Sequence, residues 1–360
     1  MEPPALFNCL YCGAFLCRIL SLRYPRSQWL AASSFSMVSG FVSIIGRPNA
    51  GKSTLLNVLV GEKIAIVTDK PQTTRTRIQG IVNVKPQKGR PSGQIIFIDT
   101  PGVHRPDSRL NRKMMQEIHE ALQSRDLILL IVDVAEKFGR GDQYVLDLVK
   151  QYQSGDKGQG AGHRGQGTGD RGHHAPVFLL LNKIDRIEKE KLLPLIEQYR
   201  KLHDFQEVIP ISATKGEGLD MLLDKIIRSL PEGPRYFPPD QLTDQPERFL
   251  ASEIVREKVL QKTAQEVPYS IAVMIDRYEE LERLTRIAAT IYCEREGQKG
   301  ILIGKKGEML KHIGTAARME LEHLLGKKVF LELFIKIKPG WRESGAFVDD
   351  LDWRRQMGGG

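Results

Sequence analysis

At 360 residues, with 41% hydrophobic and 27% charged residues, the chain has a globular composition and enough length for about two buried cores. No stretch approaches the roughly 20 uninterrupted apolar residues of a membrane-spanning helix, which excludes an integral helical membrane protein. The net charge of +9 fits a polyanionic partner, and the excess is local: Arg295 to Arg342 holds 11 Lys/Arg against 5 Asp/Glu.

Residues 1–36 differ from the rest. They are apolar and Ser-containing, and carry Arg18, Arg23 and Arg26 against the single acid Glu2. This reads either as a targeting peptide or as a stretch upstream of a true start at Met37; in both cases it lies outside the fold. Cys9, Cys12 and Cys17 fall here without the further His or Cys that a zinc finger needs, so a metal site is not expected and the thiols read as reduced.

From Phe41 onward, short apolar runs alternate with helical patterns. The runs at 41–45, 94–98, 127–134, 177–181 and 207–211 are nearly continuous in apolar character, as strands covered on both faces are. Periodic segments near 53–60, 108–123, 141–152, 189–202 and 217–229 supply crossover helices. The predicted fold is a doubly wound, mostly parallel six-stranded α/β domain over 37–232. A Gly-rich insert at 154–175, with eight glycines in 22 residues and no bulky apolar side chain, reads as a disordered surface loop.

Motifs sit at the strand ends. Gly46-Arg47-Pro48-Asn49-Ala50-Gly51-Lys52-Ser53, followed by Thr54, matches G-x-x-x-x-G-K-[ST] between a strand and a helix. Its glycines let backbone N–H groups curl around phosphate oxygens at a helix N-terminus. Lys52 is expected on the β- and γ-phosphates, and Ser53 on Mg²⁺. Asp99-Thr100-Pro101-Gly102-Val103 ends a second strand, with Asp99 placed for the far side of Mg²⁺ and the Gly102 N–H for the γ-phosphate. Between them, Gln72-Thr73-Thr74-Arg75-Thr76 carries the Thr that completes the Mg²⁺ shell in a switch; sequence alone does not choose between Thr73 and Thr74.

Base choice follows from Asn182-Lys183-Ile184-Asp185. A carboxylate at Asp185 accepts from guanine N1–H and the exocyclic amino group, whereas adenine would leave it unpaired. Lys183 can lie along the base and Asn182 can tie the loop to the phosphate loop. Ser212-Ala213-Thr214 is expected to meet the base oxygen through backbone N–H groups. GTP, not ATP, is the predicted ligand. Val103 stands where many small GTPases place a water-orienting Gln, so unassisted hydrolysis should be slow.

Pro231, Pro234, Pro238 and Pro239 mark a linker over 233–247. A second, smaller α+β domain follows over 248–360, with helices expected at 248–263 and 306–325 and strands at 269–276, 287–293 and 328–338. Ile303-Gly304-Lys305-Lys306-Gly307 reads as the GXXG loop of a KH domain, expected between a strand and a helix. Such a loop brings backbone close to backbone and clamps about four nucleotides of single-stranded RNA. Lys311, Lys336 and Lys338 are further candidates, the last two alternating on one strand face.

Taken together, GRPNAGKSTLLN, PQTTRTRIQGI, DTPGV, NKID, ISAT, RFLASEIVREK, EREGQKGILIGKKG and IKIKPGWRE resemble the Era family of ribosome-assembly GTPases across 38–350. The resemblance implies a G domain followed by a type II KH domain, and a monomeric switch cycling between GTP and GDP. It implies binding to the 3′ end of 16S ribosomal RNA and help in maturing the small (30S) subunit. It implies a cytoplasmic place with peripheral association to the inner membrane, or an organelle if the leader is a genuine transit peptide. In related GTPases without the catalytic Gln, an Asn at the place of Asn49 helps hold K⁺. The long 154–175 loop and the leader depart from the family pattern. An RNA chaperone with structural nucleotide is the competing reading. A tRNA-modifying GTPase shares Thr-Thr-Arg but lacks the terminal KH pattern, and a tandem GTPase needs a second phosphate loop.

Overall fold

The computed structural model describes residues 37–87, 89–103, 107–123, 125–153, 175–263 and 270–354. The leader, with its cysteines, and nearly all of the Gly-rich 154–175 insert lie outside them.

The first domain is built on β1 (Met37–Ile45), α1 (Lys52–Val60), β2 (Ile78–Val84), β3 (Gly93–Asp99), α2 (Arg109–Gln123), β4 (Leu127–Asp133), α3 (Arg140–Gln153), β5 (Val177–Asn182), α4 (Leu192–Arg200), β6 (Glu207–Ile211), α5 (Leu219–Ser229) and β7 (Glu232–Gly233). The sheet order is β2-β3-β1-β4-β5-β6, with β7 joined to β1 as a seventh, two-residue strand. Strands β3, β1, β4, β5 and β6 run parallel, and β2 is antiparallel to β3. Two cores clothe the sheet. Phe97, Leu129, Leu180 and Leu55 fill one, and Leu130, Leu179, Ile118 and Val149 fill the other. Neighbouring residues of β4 and β5 thus point into opposite cores, which is why those strands read as unbroken apolar runs.

Strand β2 is not among the strands expected from the sequence. Its Gly80 sits where a Cβ would lie 2.5 Å from Leu56 and 2.8 Å from Val60, so the strand presses its backbone onto α1 instead of presenting a side chain. The proline linker is not a free tether either. Ile81 N–H donates to Leu242 O, Thr243 Oγ1 to Gln79 O, and Gln94 Oε1 accepts the N–H groups of Tyr236 and Phe237. The segment occupies the open β2 edge and satisfies polar groups that would otherwise face solvent.

The second domain comprises α6 (Glu247–Lys262), β8 (Ala272–Glu280), β9 (Leu284–Cys293), α7 (Glu296–Ile303), α8 (Glu308–Leu325), β10 (Lys328–Ile337) and α9 (Gly345–Asp350). Its sheet runs β10-β9-β8, with β10 parallel and β8 antiparallel to β9. Val255 and Val259 of α6, Ile291 of β9, and Ile313 and Leu321 of α8 meet in its core. A further cluster joins the two domains: Leu110 and Met114 of α2 pack with Ala272, Trp341, Phe347 and Val348.

Candidate nucleotide site and RNA groove

The loop from Gly46 to Gly51 bends tightly between β1 and α1. Asn49 adopts φ 63° and Gly51 φ 100°, and a Cβ on Gly51 would lie 2.3 Å from Asn182 Nδ2. Lys52 is buried, and its Nζ donates to the carbonyls of Gly46 (3.1 Å) and Arg47 (2.8 Å), holding the cradle around its own ammonium. Burial drives the Lys52 ammonium down to about 8, with the Asp99 charge opposing. Arg47 turns away to Asp142 of α3 at 2.9 Å. Thr54 lies in the first turn of α1.

The residues expected on Mg²⁺ converge. Ser53 Oγ donates to Asp99 Oδ2 at 2.6 Å and lies 2.9 Å from Thr74 Oγ1. Thr73 Oγ1 instead donates to Lys70 O at 2.6 Å and meets Thr68, so geometry separates the two threonines that sequence alone does not. Asp99 Oδ1 is buried without a hydrogen-bond partner among the described residues, an acceptor of the kind that a hydrated cation engages. Hard oxygen donors from Ser53, Thr74 and Asp99 match the chemistry of Mg²⁺. Gln72 takes φ 59°, and Arg75 and Thr76 lead away towards the second domain.

Asp99 carries a stability consequence. Burial raises its carboxyl from 3.8 to about 6, with Lys52 and Ser53 partly offsetting this. A carboxyl that holds its proton more tightly when folded stabilises the fold at low pH, and loses that contribution as pH rises through about 6. At pH 7 an ionised Asp99 therefore burdens the nucleotide-free fold. In that state, Asp99→Asn is expected to gain about 3 kcal/mol at pH 7 and much less near pH 4. Urea unfolding at the two pH values checks this; an equal effect at both would mean that ionisation is not the cause.

The Asp99-Thr100-Pro101-Gly102 turn touches the cradle. Thr100 Oγ1 donates to Ile44 O at 2.8 Å, and a Cβ on Gly102 would lie 2.8 Å from Pro48. Pro101 is buried. Val103 is 4% exposed and belongs to the second core cluster, and its apolar side chain has no group with which to orient an attacking water.

On the base side, Asn182 Nδ2 donates to Ala50 O (2.8 Å) and its Oδ1 accepts Ala213 N–H (3.0 Å), joining three loops through one amide. That occupies the Ala213 N–H, which the sequence reading places on the base. Lys183, at φ 68°, donates to Asn49 O (2.9 Å) and Asp133 Oδ2 (2.5 Å). Ile184 packs against the second core. Asp185 is exposed, and the Ser212 hydroxyl donates to its Oδ1 at 2.6 Å, holding the carboxyl below the usual carboxylate range. Thr214 Oγ1 lies 3.3 Å from Ser212 Oγ. The sequence reading does not find Asp133 and the Ser212 hydroxyl as orienting groups. Their partners are distant in the chain, and no local pattern marks them.

In the second domain the GXXG loop joins two helices, α7 and α8, correcting the expected strand before it. The run Ile301-Leu302-Ile303 looks like a strand, yet Gln298 Oε1 accepts the N–H groups of Glu294 and Arg295 and starts a helix that buries Leu302. Gly304 has φ 69°, and a Cβ there would lie 2.6 Å from Met309 Cβ; Gly307 has φ 81°. Lys305 and Lys306 are exposed at the turn. Beside it runs a groove of about 420 Å³ lined by Gly307, Leu310, Lys311, Thr315, Arg318, Leu331 and Leu333.

Lys336 and Lys338 do not join this groove. Leu331 and Leu333 face it, so by strand alternation Lys336 lies on the opposite face of β10. Lys338 follows the last residue of β10, and its Nζ stands 4.6 Å over the Phe347 ring. Thr315 and Arg318, absent from the sequence reading, line the groove. Ile303 is half-buried at the end of α7.

Comparison with known proteins gives a consistent result. A family model described as 50S ribosome-binding GTPase matches residues 41–157, and a KH-domain model matches 266–342. GTPase Era of Geobacter metallireducens is 50% identical over 317 residues, 88% of this chain and 97% of its own length. GTPase Era of Staphylococcus haemolyticus is 46% identical, covering 89% and 96%. Among solved structures, a point variant of Aquifex aeolicus Era bound to GDP and AlF4⁻ matches at 39% identity and TM-score 0.78, over 88% of this chain and 99% of that one. An Era complex with MgGDPNP and nucleotides 1506–1542 of 16S ribosomal RNA matches with the same identity, coverage and TM-score.

Proposed function

The chain belongs to the Era family of GTPases, and from that premise we propose that GTP hydrolysis times its hold on the 3′ end of small-subunit ribosomal RNA. The observation that carries this reading is the coexistence of a complete switch constellation with the groove beside the GXXG loop. The structural relative solved with both a GTP analogue and a 16S fragment supports it.

Lys52 and the cradle N–H groups would hold the phosphates, and Asp185 with Lys183 the guanine. Ser53, Thr74 and Asp99 would hold Mg²⁺, which when bound neutralises charge between the β- and γ-phosphates. Since Val103 is turned into the core, the positioning of attacking water falls to another group. Asn49 is the proposed K⁺ residue: it sits at the cradle's outer turn, and its Nδ2 donates to Asp69 O at 2.8 Å, next to the switch. In the RNA module, Lys305, Lys306, Lys311 and Arg318 would meet backbone phosphates while bases enter against Leu331 and Leu333. Assistance in 30S maturation, a mainly monomeric state, and a cytoplasmic place with peripheral contact to the inner membrane complete the proposal. Family resemblance alone supports those last points.

One turnover experiment tests the reading. GTP hydrolysis is measured in K⁺ and in Na⁺, with and without an RNA matching the 3′ end of 16S rRNA. The expected basal rate is slow, rising roughly tenfold or more with RNA and again in K⁺ over Na⁺. Asn49→Ala should erase only the salt difference. RNA that binds without changing turnover would leave a chaperone with structural nucleotide, and equal rates in both salts would remove the K⁺ role.

A further inference from the structure

The switch segment before Asp99 is held from outside the nucleotide site as well as from within it. Glu257 Oε1 of α6 accepts the Val67 N–H at 2.9 Å. Arg256 Nη2, also from α6, donates to the Thr73 carbonyl. Arg75 Nη1 donates to Ile271 O at 2.6 Å, with its guanidinium 5.5 Å from the Trp341 ring centroid. Lys63, ahead of the segment, pairs with Glu257 at 2.6 Å and with Glu320 of α8. In a minimal switch protein, Mg²⁺ and the γ-phosphate order this segment. Here a second domain grips it too.

Arg256 is the best-defined of these anchors. It is 2% exposed, and the Glu253 carboxylate takes both its Nε (2.8 Å) and its Nη2 (2.5 Å), so the guanidinium is oriented before it meets Thr73. The Thr73 carbonyl belongs to the peptide unit that carries Thr74. The Thr74 hydroxyl stands 2.9 Å from Ser53 Oγ. Displacing that peptide displaces the hydroxyl.

We propose that Arg256 is a positioning residue for GTP: by fixing the Thr73–Thr74 peptide it places the Thr74 hydroxyl against Ser53 and Asp99. The inference rests on the GTPase reading and deepens it, because the positioning group comes from the RNA-binding domain. Helix α8 extends the connection. Its Glu320 binds Lys258 and Lys63, while Lys311, one face of the same helix further towards its start, lines the groove with Thr315 and Arg318. A nucleic acid that shifts α8 therefore pulls on the same anchors that hold the switch.

The test compares affinities for a non-hydrolysable GTP analogue and for GDP, both with Mg²⁺. Removing Arg256 alone would strand the partly buried Glu253 without its partner, so the double variant Arg256→Gln/Glu253→Gln is used, with Arg256→Lys as the conservative change. Analogue affinity is expected to fall roughly tenfold in the double variant while GDP affinity stays within about twofold, since GDP lacks the γ-phosphate that the switch senses. Arg256→Lys should recover part of the preference. In a Thr74→Ala background, the double substitution should have no further effect on the ratio. An unchanged ratio overturns the proposal, and so does an equal loss for both nucleotides, which marks a merely structural pair. Absence of GTP turnover in the unaltered protein would instead defeat the GTPase reading itself.

Discussion

Replacing Asp185 with asparagine is expected to cost about 4 kcal/mol of GTP affinity, roughly a thousandfold, and to create affinity for xanthosine triphosphate. The carboxylate presents acceptors to both guanine donors, N1–H and the exocyclic amino group. An asparagine presents one acceptor and one donor, so a donor would face the guanine amino group. Xanthine carries a carbonyl there and accepts the new donor. The Ser212 hydroxyl, which donates to Asp185 Oδ1 at 2.6 Å, orients the carboxylate, and each oxygen keeps a lone pair for a guanine donor. Its hydrogen bond keeps the carboxyl ionised across the neutral range, so the loss should not vary between about pH 6 and 8. Fluorescent-nucleotide titration with GDP and xanthosine diphosphate measures both sides of the exchange. A variant that binds guanine nucleotides as well as the parent would remove Asp185 from the base site.

The nucleotide site is largely legible in the sequence because its parts are local. A phosphate cradle needs glycine and lysine within a single short loop, and Asp99 and Asn182 each close a strand whose apolar run marks it. What escapes is decided at a distance. Strand β2 hides because Gly80 yields its place to Leu56 and Val60 across the layer. Helix α7 hides because Gly297 and Gly300 weaken its helical signal and an Ile-Leu-Ile run favours a strand, and only burial of Leu302 and the Gln298 cap decide otherwise. The role of Ser212 depends on a partner 27 residues away in sequence. Helix α6 is evident from periodicity, yet its buried Arg256 and Glu257 make sense only once the switch is seen packed against them.

Changing Lys305 and Lys306 together to aspartate is expected to weaken single-stranded RNA binding by roughly tenfold to a hundredfold and to flatten its salt dependence. Both side chains are exposed at a turn whose shape depends on Gly304 and Gly307, so the substitution reverses charge without touching the glycines. Lys306 does sit at φ 52°, a conformation aspartate tolerates better than most residues, so the loop should keep its form. Each lysine that neutralises a phosphate releases condensed counterions, and losing two such contacts on a single strand lowers the slope of log affinity against log salt by about 1.4. Basal GTP hydrolysis should be unaltered, because Lys52, Ser53 and Asp99 belong to the other domain. RNA-stimulated hydrolysis should vanish in step with binding. Filter binding across a salt series, run beside a turnover assay on the same preparations, separates the outcomes. If the double variant held RNA with the parent's affinity and slope, the Gly304–Gly307 loop would be an ordinary turn between two helices, and the groove beside it would need another ligand.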